Sequence, residues 1–258
     1  MTIQLRQICL VARELDPVID DLTDVLGINS CFIDPGVRTF GLENTLMCVG
    51  RNFLEVVAPV EEGTAGGRYL NRRGGDGGYM VICQAGNKTT QQAVRQRALD
   101  NNIRIAHESN RDTWYICQIH PGDMQAAFFE IDWDQHDDFN GNWQPSGGLK
   151  WEDKVDQSVT VDYLGVELQG PDPVELADLW GKVSGLPVDR TGSELSIRLN
   201  NVTLRFVQSI DGRGPGLSGL DLAVANKDQI LDRARQRGAY VSDDEVLVCG
   251  TRFYLHQV

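Results

Sequence analysis

One carboxylate draws attention because it interrupts an apolar strand. Residues 114–133 read WYICQIHPGDMQAAFFEIDW, which predicts a strand, a turn at the HPGD segment and a second strand. Glu130 is the one charge between Ala126 and Ile131. A carboxylate among apolar side chains is costly unless its surroundings compensate it. The chemistry of this chain therefore depends on what Glu130 faces.

The elements that must position Glu130 form a repeat. A strand, an Asp-Pro helix start and a glycine stop occur within residues 4–27 and again within 161–185. Two more stretches, 77–100 and 216–237, run from an apolar strand through Asn-Lys into a helix containing Arg-Gln-Arg. Short strands follow every helix. The sequence thus predicts four repeats, each a strand, a helix and about three strands, in an α+β plan whose repeats must pair.

Local signals predict the ends of several elements. Asp16 and Asp172 are predicted N-caps, each followed by a proline at the first helical position. The segment 63–78 is glycine-rich and predicts a connection without regular structure. Short strands of the first repeat are expected near residues 30–33, 39–42, 47–49 and 52–58.

Charge and composition exclude several classes of partner. The formal net charge of −13 argues against nucleic acid or an anionic membrane as a general partner. No apolar run approaches the roughly 20 residues that cross a bilayer, and the first residues do not resemble a secretory signal. A cytoplasmic location is therefore expected. The six cysteines form no C-x-x-C pair and are expected to be buried, reduced thiols.

The pattern of repeats resembles the vicinal-oxygen-chelate superfamily of glyoxalase, bleomycin-resistance, extradiol dioxygenase and epimerase proteins. FLEVVAP (53–59) and especially HPGDMQAAFFEID (120–132) carry the resemblance, and the first half is most similar to methylmalonyl-CoA epimerase-type domains. It covers nearly the whole chain and implies two tandem glyoxalase-like domains, each an open barrel of paired βαβββ units. Domain 1 would span residues 1–135 and carry the site. An acidic linker would span residues 136–157, and a degenerate domain 2 would span residues 158–258.

The resemblance also implies four inward positions per domain, where the family places metal ligands. In the first half these are Gln7, Glu55, Tyr79 and Glu130, although the family usually has histidine at the first and third. Strand alternation puts each of them on an otherwise apolar face, which is typical of a partly wet cavity. The second half matches Tyr163, Arg205, Gly219 and about Leu255, with His256 next to it, a set that cannot bind a divalent cation.

Two carboxylates in one cavity leave three possibilities open. A cation held by Glu55, Glu130 and Gln7 would favour Mg²⁺ or Mn²⁺ over Zn²⁺ or Fe²⁺, because all ligands are oxygens. One carboxylate would otherwise hold a proton with a raised pKa. In the third case Gln7, Tyr79 and water satisfy both by hydrogen bonds. The cofactor is thus a divalent cation or none.

Other side chains are candidates for contact with a substrate. His120 lies in the predicted turn beside the barrel mouth, or simply packs on Pro121. Tyr69 and Arg73 lie in the glycine-rich connection, which either closes over an anionic ligand or is a solvated linker. Trp114 contacts the ligand or belongs to the core.

The leading hypothesis is an isomerase- or lyase-type enzyme that acts on a small carbonyl or carboxylate compound through an enolate-like intermediate. Glu130 or Glu55 would be the general base, while Gln7 and Tyr79 would stabilise the oxyanion. The alternative is a metal-free binding protein of the drug-sequestering kind, and the sequence leaves enzyme or binding protein open. An extradiol dioxygenase ranks last because histidine ligands are missing. A small molecule is the expected partner, and a homodimer is compatible with the family.

Overall fold

The architecture comes from a computed structural model that describes residues 1–143, 150–192 and 194–258. Residues 144–149, in the middle of the predicted acidic linker, lie outside the described residues. The elements below are numbered in chain order.

Four βαβββ repeats follow one another, as predicted. The first contains β1 (Ile3–Val11), α1 (Leu15–Leu26), β2 (Ser30–Phe32), β3 (Leu42–Val49) and β4 (Asn52–Pro59), followed by α2 (Ala65–Arg73). The second contains β5 (Gly77–Ala85), α3 (Lys88–Asp100), β6 (Ile105–Asn110), β7 (Trp114–Ile119), the one-turn α4 (Pro121–Met124) and β8 (Phe128–Asp134). The third contains β9 (Thr160–Gly170), α5 (Pro173–Ser184), β10 (Val188–Asp189), β11 (Leu195–Arg198) and β12 (Thr203–Gln208). The fourth contains β13 (Gly216–Val224), α6 (Lys227–Arg237), β14 (Tyr240–Ser242), β15 (Glu245–Val248) and β16 (Thr251–Gln257).

The strands form two open, mixed sheets of eight strands each. The first sheet has the order β2-β3-β4-β1-β5-β8-β7-β6, and the second has the order β10-β11-β12-β9-β13-β16-β15-β14. The pairs β5–β8, β12–β9 and β13–β16 are parallel, whereas the hairpins within each repeat are antiparallel. The predicted α+β class, with tandem βαβββ units in two open arrangements, is confirmed.

Internal contacts divide the chain into two compact units that do not follow the two halves of the sequence. Unit one contains Met1–Gln7, Tyr79–Pro145 and Gly165–Leu217. Unit two contains Ile8–Gly78, Ser146–Leu164 and Ser218–Val258. The second and third repeats therefore share one unit, and the first and fourth share the other. The boundaries 1–135, 136–157 and 158–258 stay a prediction.

The core of unit one is built around the fully buried Trp180 of α5. Its ring lies 5.2 Å from the ring of Phe129 on β8 and 6.4 Å from that of Phe206 on β12. Its indole Nε1 donates to the carbonyl of Met124 at 3.0 Å. One aromatic side chain thus joins elements of two repeats, since a buried tryptophan combines a large apolar area with one donor that needs a partner.

In unit two, α1 packs against α6, and the segment 150–164 supplies part of the core. Trp151, in a 3₁₀ helix at Trp151–Lys154, is buried with its ring edge-on to Phe53 at 5.1 Å. The hydroxyl of Thr160 donates to the carbonyl of Leu26 at the end of α1. Gly27 follows with φ of 67°, the left-handed conformation that ends a helix.

Two segments of the first repeats differ from the sequence prediction. Residues 39–42 do not form a strand, because a 3₁₀ helix at Pro35–Phe40 precedes β3, with the Asp34 carboxylate accepting from the amide of Gly36. The glycine-rich segment is not an irregular connection, because Thr64 caps a helix there by accepting from the amide of Gly67. Gly66 permits that helix, since a Cβ at this position would lie 3.2 Å from Leu42.

The two Asp-Pro sequences also behave differently. Asp172 caps α5 as predicted, accepting from the amides of Val174 and Glu175. At α1 the helix begins earlier, at Leu15, and its N-cap is Glu14, whose side chain makes no capping hydrogen bond. Asp16 is therefore inside the first turn, where its charge faces the positive end of the helix dipole.

All six cysteines are free thiols, and four of them are buried. Within the part of the chain that the structure describes, no helix is long and apolar enough to cross a membrane.

The difference between the two caps predicts unequal costs of substitution. Asp172→Ala removes two amide-to-carboxylate hydrogen bonds and should lower the free energy of unfolding by about 1 kcal/mol. Glu14→Ala at the equivalent cap of α1 should change it by less than about 0.5 kcal/mol, because no capping bond is lost. Urea unfolding of both variants measures this, and equal losses would contradict the assignment.

Candidate functional site

Three buried carboxylates, Glu130, Asp132 and Asp134, lie on the same face of β8. Glu130 and Asp132 are separated by one residue, so their side chains leave the strand on the same side. They are 5% and 1% exposed. The register pairs Glu130 with Ile82 on β5 and Gln118 on β7, and pairs Asp132 with Gln84 on β5. The opposite face carries Phe129, which packs against α5, so the carboxylates are on the face away from that helix.

The environment of Asp132 favours its protonated form. Burial is the main cause that raises the pKa of Asp132 well above its usual range, and the charge of Glu130 adds to it. The backbone of Cys117 acts in the opposite direction, and Asp134 adds a further increase. Among residues 1–143, 150–192 and 194–258, neither carboxylate oxygen of Asp132 has a partner in full hydrogen-bonding geometry, although the side chain of Glu130 and the backbone of Cys117 lie close enough to shift its pKa. Like charges this close and this dry cannot both be ionised without a large cost.

Two thiols on the neighbouring strands respond to the same charges. Burial and then the charge of Asp132 raise the pKa of Cys117 to about 12. The pKa of Cys83 is raised as well, by burial first and then by Asp132 and Glu130. Both thiols therefore stay neutral and unreactive, because the thiolate is the nucleophilic form. Their role is packing, in agreement with the sequence prediction for the cysteines.

Gln7 and Tyr79 belong to the same compact unit as Glu130. Both side chains are buried. The ring of Tyr79 is edge-on to the ring of Phe128 at 5.0 Å, which places it at the start of β8. The register pairs Met80 with Phe128 and Ile82 with Glu130, so the side chain of Tyr79 leaves β5 on the face opposite Glu130.

Glu55 lies on β4 in unit two and is held by an amide. The side-chain Nδ2 of Asn44 donates to its Oε1 at 2.5 Å, and the Oδ1 of Asn44 accepts from the amide of Asp34. Both contacts orient the amide, so a neutral donor offsets part of the cost of burying Glu55. Whether Gln7, Glu55, Tyr79 and Glu130 line one cavity stays a prediction.

His120 has a structural task in the short helix that replaces the predicted turn. It is the N-cap of α4, and its Nδ1 accepts from the amide of Gly122 at 3.1 Å. Arg104 contacts the same Nδ1 at 3.3 Å and forms an ion pair with Asp123 at 2.6 Å. The Arg104 guanidinium holds the pKa of Asp123 at about 2. A contact between His120 and a substrate remains a prediction.

Tyr69 and Arg73 are fixed in α2 instead of lying in a mobile connection. The hydroxyl of Tyr69 donates to the carbonyl of Gly78 at 2.5 Å, and Arg72 lies over its ring at 5.1 Å. Both Tyr69 and Arg73 are buried. Trp114 is half-buried at the start of β7, with Arg111 5.8 Å from its ring centre.

The matched residues of the second half have partners of their own. Arg205 forms ion pairs with Glu167 and Glu194, each at 3.3 Å, and the hydroxyl of Tyr163 donates to the carbonyl of Phe53. Gly219 is buried on β13.

In the fourth repeat, the register shows which residue replaces Glu130. Alignment on the Asn-Lys turns equates Ile82 with Asp221, and Asp221 pairs with Tyr254. Tyr254 therefore stands where the first half has Glu130, while Leu255 points into the core. His256 pairs with Asp221 at 3.0 Å.

A divalent cation does not fit the donors that the described residues offer. No group of three or more histidine, cysteine, aspartate and glutamate side chains within 1–143, 150–192 and 194–258 is arranged to hold a metal ion. The expected ligand set provides only two carboxylates and one weak amide ligand, from Glu55, Glu130 and Gln7. Tyr79 occupies the position where the family has a second histidine. We therefore derive no step through a metal ion.

A cleft of about 470 Å³ in unit two contains none of these residues. It lies between α1 and α6, and Asp24, Asp156 and Arg237 are among the side chains that line it. Arg237 is paired with Asp21 and Asp24, and Arg233, which also lines the cleft, donates to the carbonyl of Asp24 at 3.1 Å.

No protein-family model matches the chain, and no curated protein sequence matches it. Solved structures do match in fold. A hypothetical protein from Staphylococcus aureus is 13% identical with a TM-score of 0.66, covering 100% of both chains. An Mn(II)-bound glyoxalase from Novosphingobium aromaticivorans is 13% identical with a TM-score of 0.66, covering 98% of this chain and 81% of its own. A mutant of 4-hydroxymandelate synthase from Streptomyces coelicolor is 12% identical with a TM-score of 0.64, covering 92% of this chain and 75% of its own.

The raised pKa of Asp132 predicts a pH-dependent gain in stability from Asp132→Asn. The folded state binds more protons than the unfolded state above the unfolded pKa of about 3.9, so the native free energy of unfolding falls as pH rises through the window above that value. The Asp132→Asn variant has no carboxyl group at this position, so its free energy of unfolding does not fall with pH for this reason. In denaturant titrations, the free energy of unfolding of the variant minus that of the native protein should be near zero at about pH 4 and should grow toward pH 7. Asp112→Asn, at an exposed position, is the control, and a gain that does not grow with pH would contradict the assignment.

The Asn44–Glu55 bond predicts a coupling energy. Asn44→Leu should cost about 1–3 kcal/mol, because it leaves a buried carboxylate without this donor. Asn44→Leu combined with Glu55→Leu should cost less than the sum of the single changes in a double-mutant cycle. Strict additivity would show that the contact is not formed.

Proposed function

Because the chain has the fold of the vicinal-oxygen-chelate superfamily, we propose that it is an isomerase- or lyase-type enzyme that moves a proton on a small carbonyl or carboxylate compound. The observation that carries this proposal is the buried pair of carboxylates on one face of β8, Glu130 and Asp132. A pair in which one member is ionised and the other holds a proton is suited to acid–base chemistry.

Glu130 is the proposed general base. Its carboxylate takes the proton from the carbon next to the carbonyl group, and the electron pair of the broken C–H bond moves into an enolate. Glu130 then returns the proton to a different carbon of the enolate system, which gives an isomer. In the lyase reaction the enolate re-forms its carbonyl group, a C=C bond forms as the leaving group departs with its electron pair, and the proton passes from Glu130 to the leaving group. Burial raises the basicity of a carboxylate, and this suits the abstraction of a weakly acidic proton.

Asp132 sets the charge around this base. With Asp132 neutral, Glu130 has one negative neighbour fewer on the same face of β8. An ionised Asp132 would repel an enolate as well as Glu130. The proton on Asp132 therefore supports both the resting base and the charged intermediate.

Gln7 is the first proposed donor to the enolate oxygen, and Tyr79 is the second, although the register of β5 places Tyr79 on the strand face opposite Glu130. An amide N–H and a phenol O–H are neutral donors, and both side chains are buried in the same unit as Glu130. Donors that are already fixed cost no reorganisation when the charge develops. Glu55 is the second candidate base, and its Oε1 accepts a hydrogen bond from Asn44.

Exchange of hydrogen for deuterium tests this function without knowledge of the product. The protein is incubated in D₂O with a panel of 2-oxo acids and acyl thioesters, and loss of the α-proton is followed by NMR. Glu130→Gln should slow exchange by at least about 100-fold, because general-base catalysis contributes that much. Glu62→Gln, at an exposed position, should leave the rate unchanged.

The same panel separates the alternatives. Exchange that survives Glu130→Gln but not Glu55→Gln would move the base to Glu55. Thermal stabilisation by a compound that undergoes no exchange would reject the enzyme and favour the drug-sequestering type of binding protein.

A further inference from the structure

Three buried oxygens on adjacent strands lack a donor. They are both carboxylate oxygens of Asp132 and the Oε1 of Gln84, and none has a hydrogen-bond partner in the ranges that the structure covers. Asp132 is 1% exposed and Gln84 is 0% exposed. The two residues are partners in the parallel register of β5 and β8, so their side chains lie side by side on one face.

The orientation of the Gln84 amide is not free. Its Nε2 donates to the backbone carbonyl of Asp138, in the segment that follows β8, at 3.2 Å. A carbonyl can only accept, so the nitrogen of the amide must face Asp138. The Oε1 is therefore the atom left over, and it can only accept as well.

Two groups that both accept repel each other unless one of them carries a hydrogen. Buried polar atoms of folded proteins nearly always have a hydrogen-bond partner. A proton on Asp132 converts one of its oxygens into a donor and satisfies Gln84 at the same time. Glu130 is the second acceptor beside Asp132, because it also forms a side-chain hydrogen bond with Asp132 that raises the pKa of the Asp132 carboxyl.

We propose that Asp132 is a neutral carboxylic acid at physiological pH, that it donates its proton to Oε1 of Gln84, and that Gln84 is thereby a positioning residue for the Glu130 base. The role in catalysis rests on the proposed function, whereas the location of the proton does not. The chain of contacts runs from the carbonyl of Asp138 through Gln84 and Asp132 to Glu130, and so connects the base to the segment between the halves of the chain.

The other titratable groups around Asp132 favour the same state. Glu130 and Asp134 on β8 are acidic, and the thiols Cys83 on β5 and Cys117 on β7 are held neutral. The ion pair between Arg95 of α3 and Glu108 of β6 has no net charge and acts on Cys117 more than on Asp132. A buried cation lies in the same unit, because Arg6 of β1 is 0% exposed and its Nη2 donates to the carbonyl of Gly141 at 3.0 Å, in the segment that also accepts from Gln84.

Infrared spectroscopy of protein with isotope-labelled aspartate tests the proposal directly. The difference spectrum between the native protein and Asp132→Asn at pH 7 should contain the C=O stretch of one protonated, hydrogen-bonded carboxylic acid. Only a carboxylate band in that difference spectrum would overturn the proposal. The Asn variant keeps a donor toward Gln84 and is expected to fold.

Gln84→Met identifies the acceptor. It should move the acid band to the position of a C=O group whose O–H has lost its acceptor, and lower the proton affinity of Asp132 by up to about tenfold, the size of one neutral hydrogen bond. Gln118→Met, on the strand at the other side of Glu130, is the matched control and should do neither. An unchanged band in Gln84→Met would reject Gln84 as the acceptor. If Gln84→Met does not fold, the difference spectrum between the native protein and Asp132→Asn still shows whether Asp132 is protonated.

The two proposals fail separately. A carboxylic-acid band without any deuterium exchange would support the protonated state of Asp132 and contradict the proposed enzyme function. Exchange that depends on Glu130, combined with an ionised Asp132, would keep the enzyme and reject the positioning role. If both hold, Gln84→Met should also shift the pH profile of exchange, which a merely structural glutamine would not do.

Discussion

The dominant constraint in this protein is the burial of three carboxylates on one face of one strand. Glu130 and Asp132 are too close together and too deeply buried for both to be ionised without a large cost, so the surrounding side chains must be arranged around a proton on Asp132. Neutral amides and thiols line the neighbouring strands, with Gln84 and Cys83 on β5 and Gln118 and Cys117 on β7.

The same fold treats its second half differently. Where the second repeat has Glu130, the fourth repeat has Tyr254, and where the second repeat has Ile82, the fourth has Asp221, which pairs with His256. Buried charge in the third repeat is paired, as in Arg205 with Glu167. Paired charges relieve their own burial cost and have little reason to hold an extra proton, so the two halves share an architecture and differ in chemistry.

Much of the fold was predictable because its signals are local. Strand alternation, the Asp-Pro and Asn-Lys helix starts and the glycine stops are visible in short windows, and all four repeats form as expected. The errors occurred where two local signals compete. The glycines at 66 and 67 argued against a helix, but Thr64 caps one and close packing against Leu42 requires a residue without a side chain. At α1 the helix begins before its Asp-Pro, because a cap is not needed where the first amides reach water.

The sequence by itself determined the repeat, the class of fold and the position of Glu130 in an apolar strand, since each depends on spacing along the chain. It did not single out Asp132, Gln84 or Asn44, because nothing in a linear pattern tells which side chains on different strands meet. Only the tertiary structure decided those pairings, through the parallel register of β5 with β8 and the antiparallel register of β3 with β4. The cost of burying a charge depends on its neighbours in space, and therefore the protonation of Asp132 is a property of the folded chain alone.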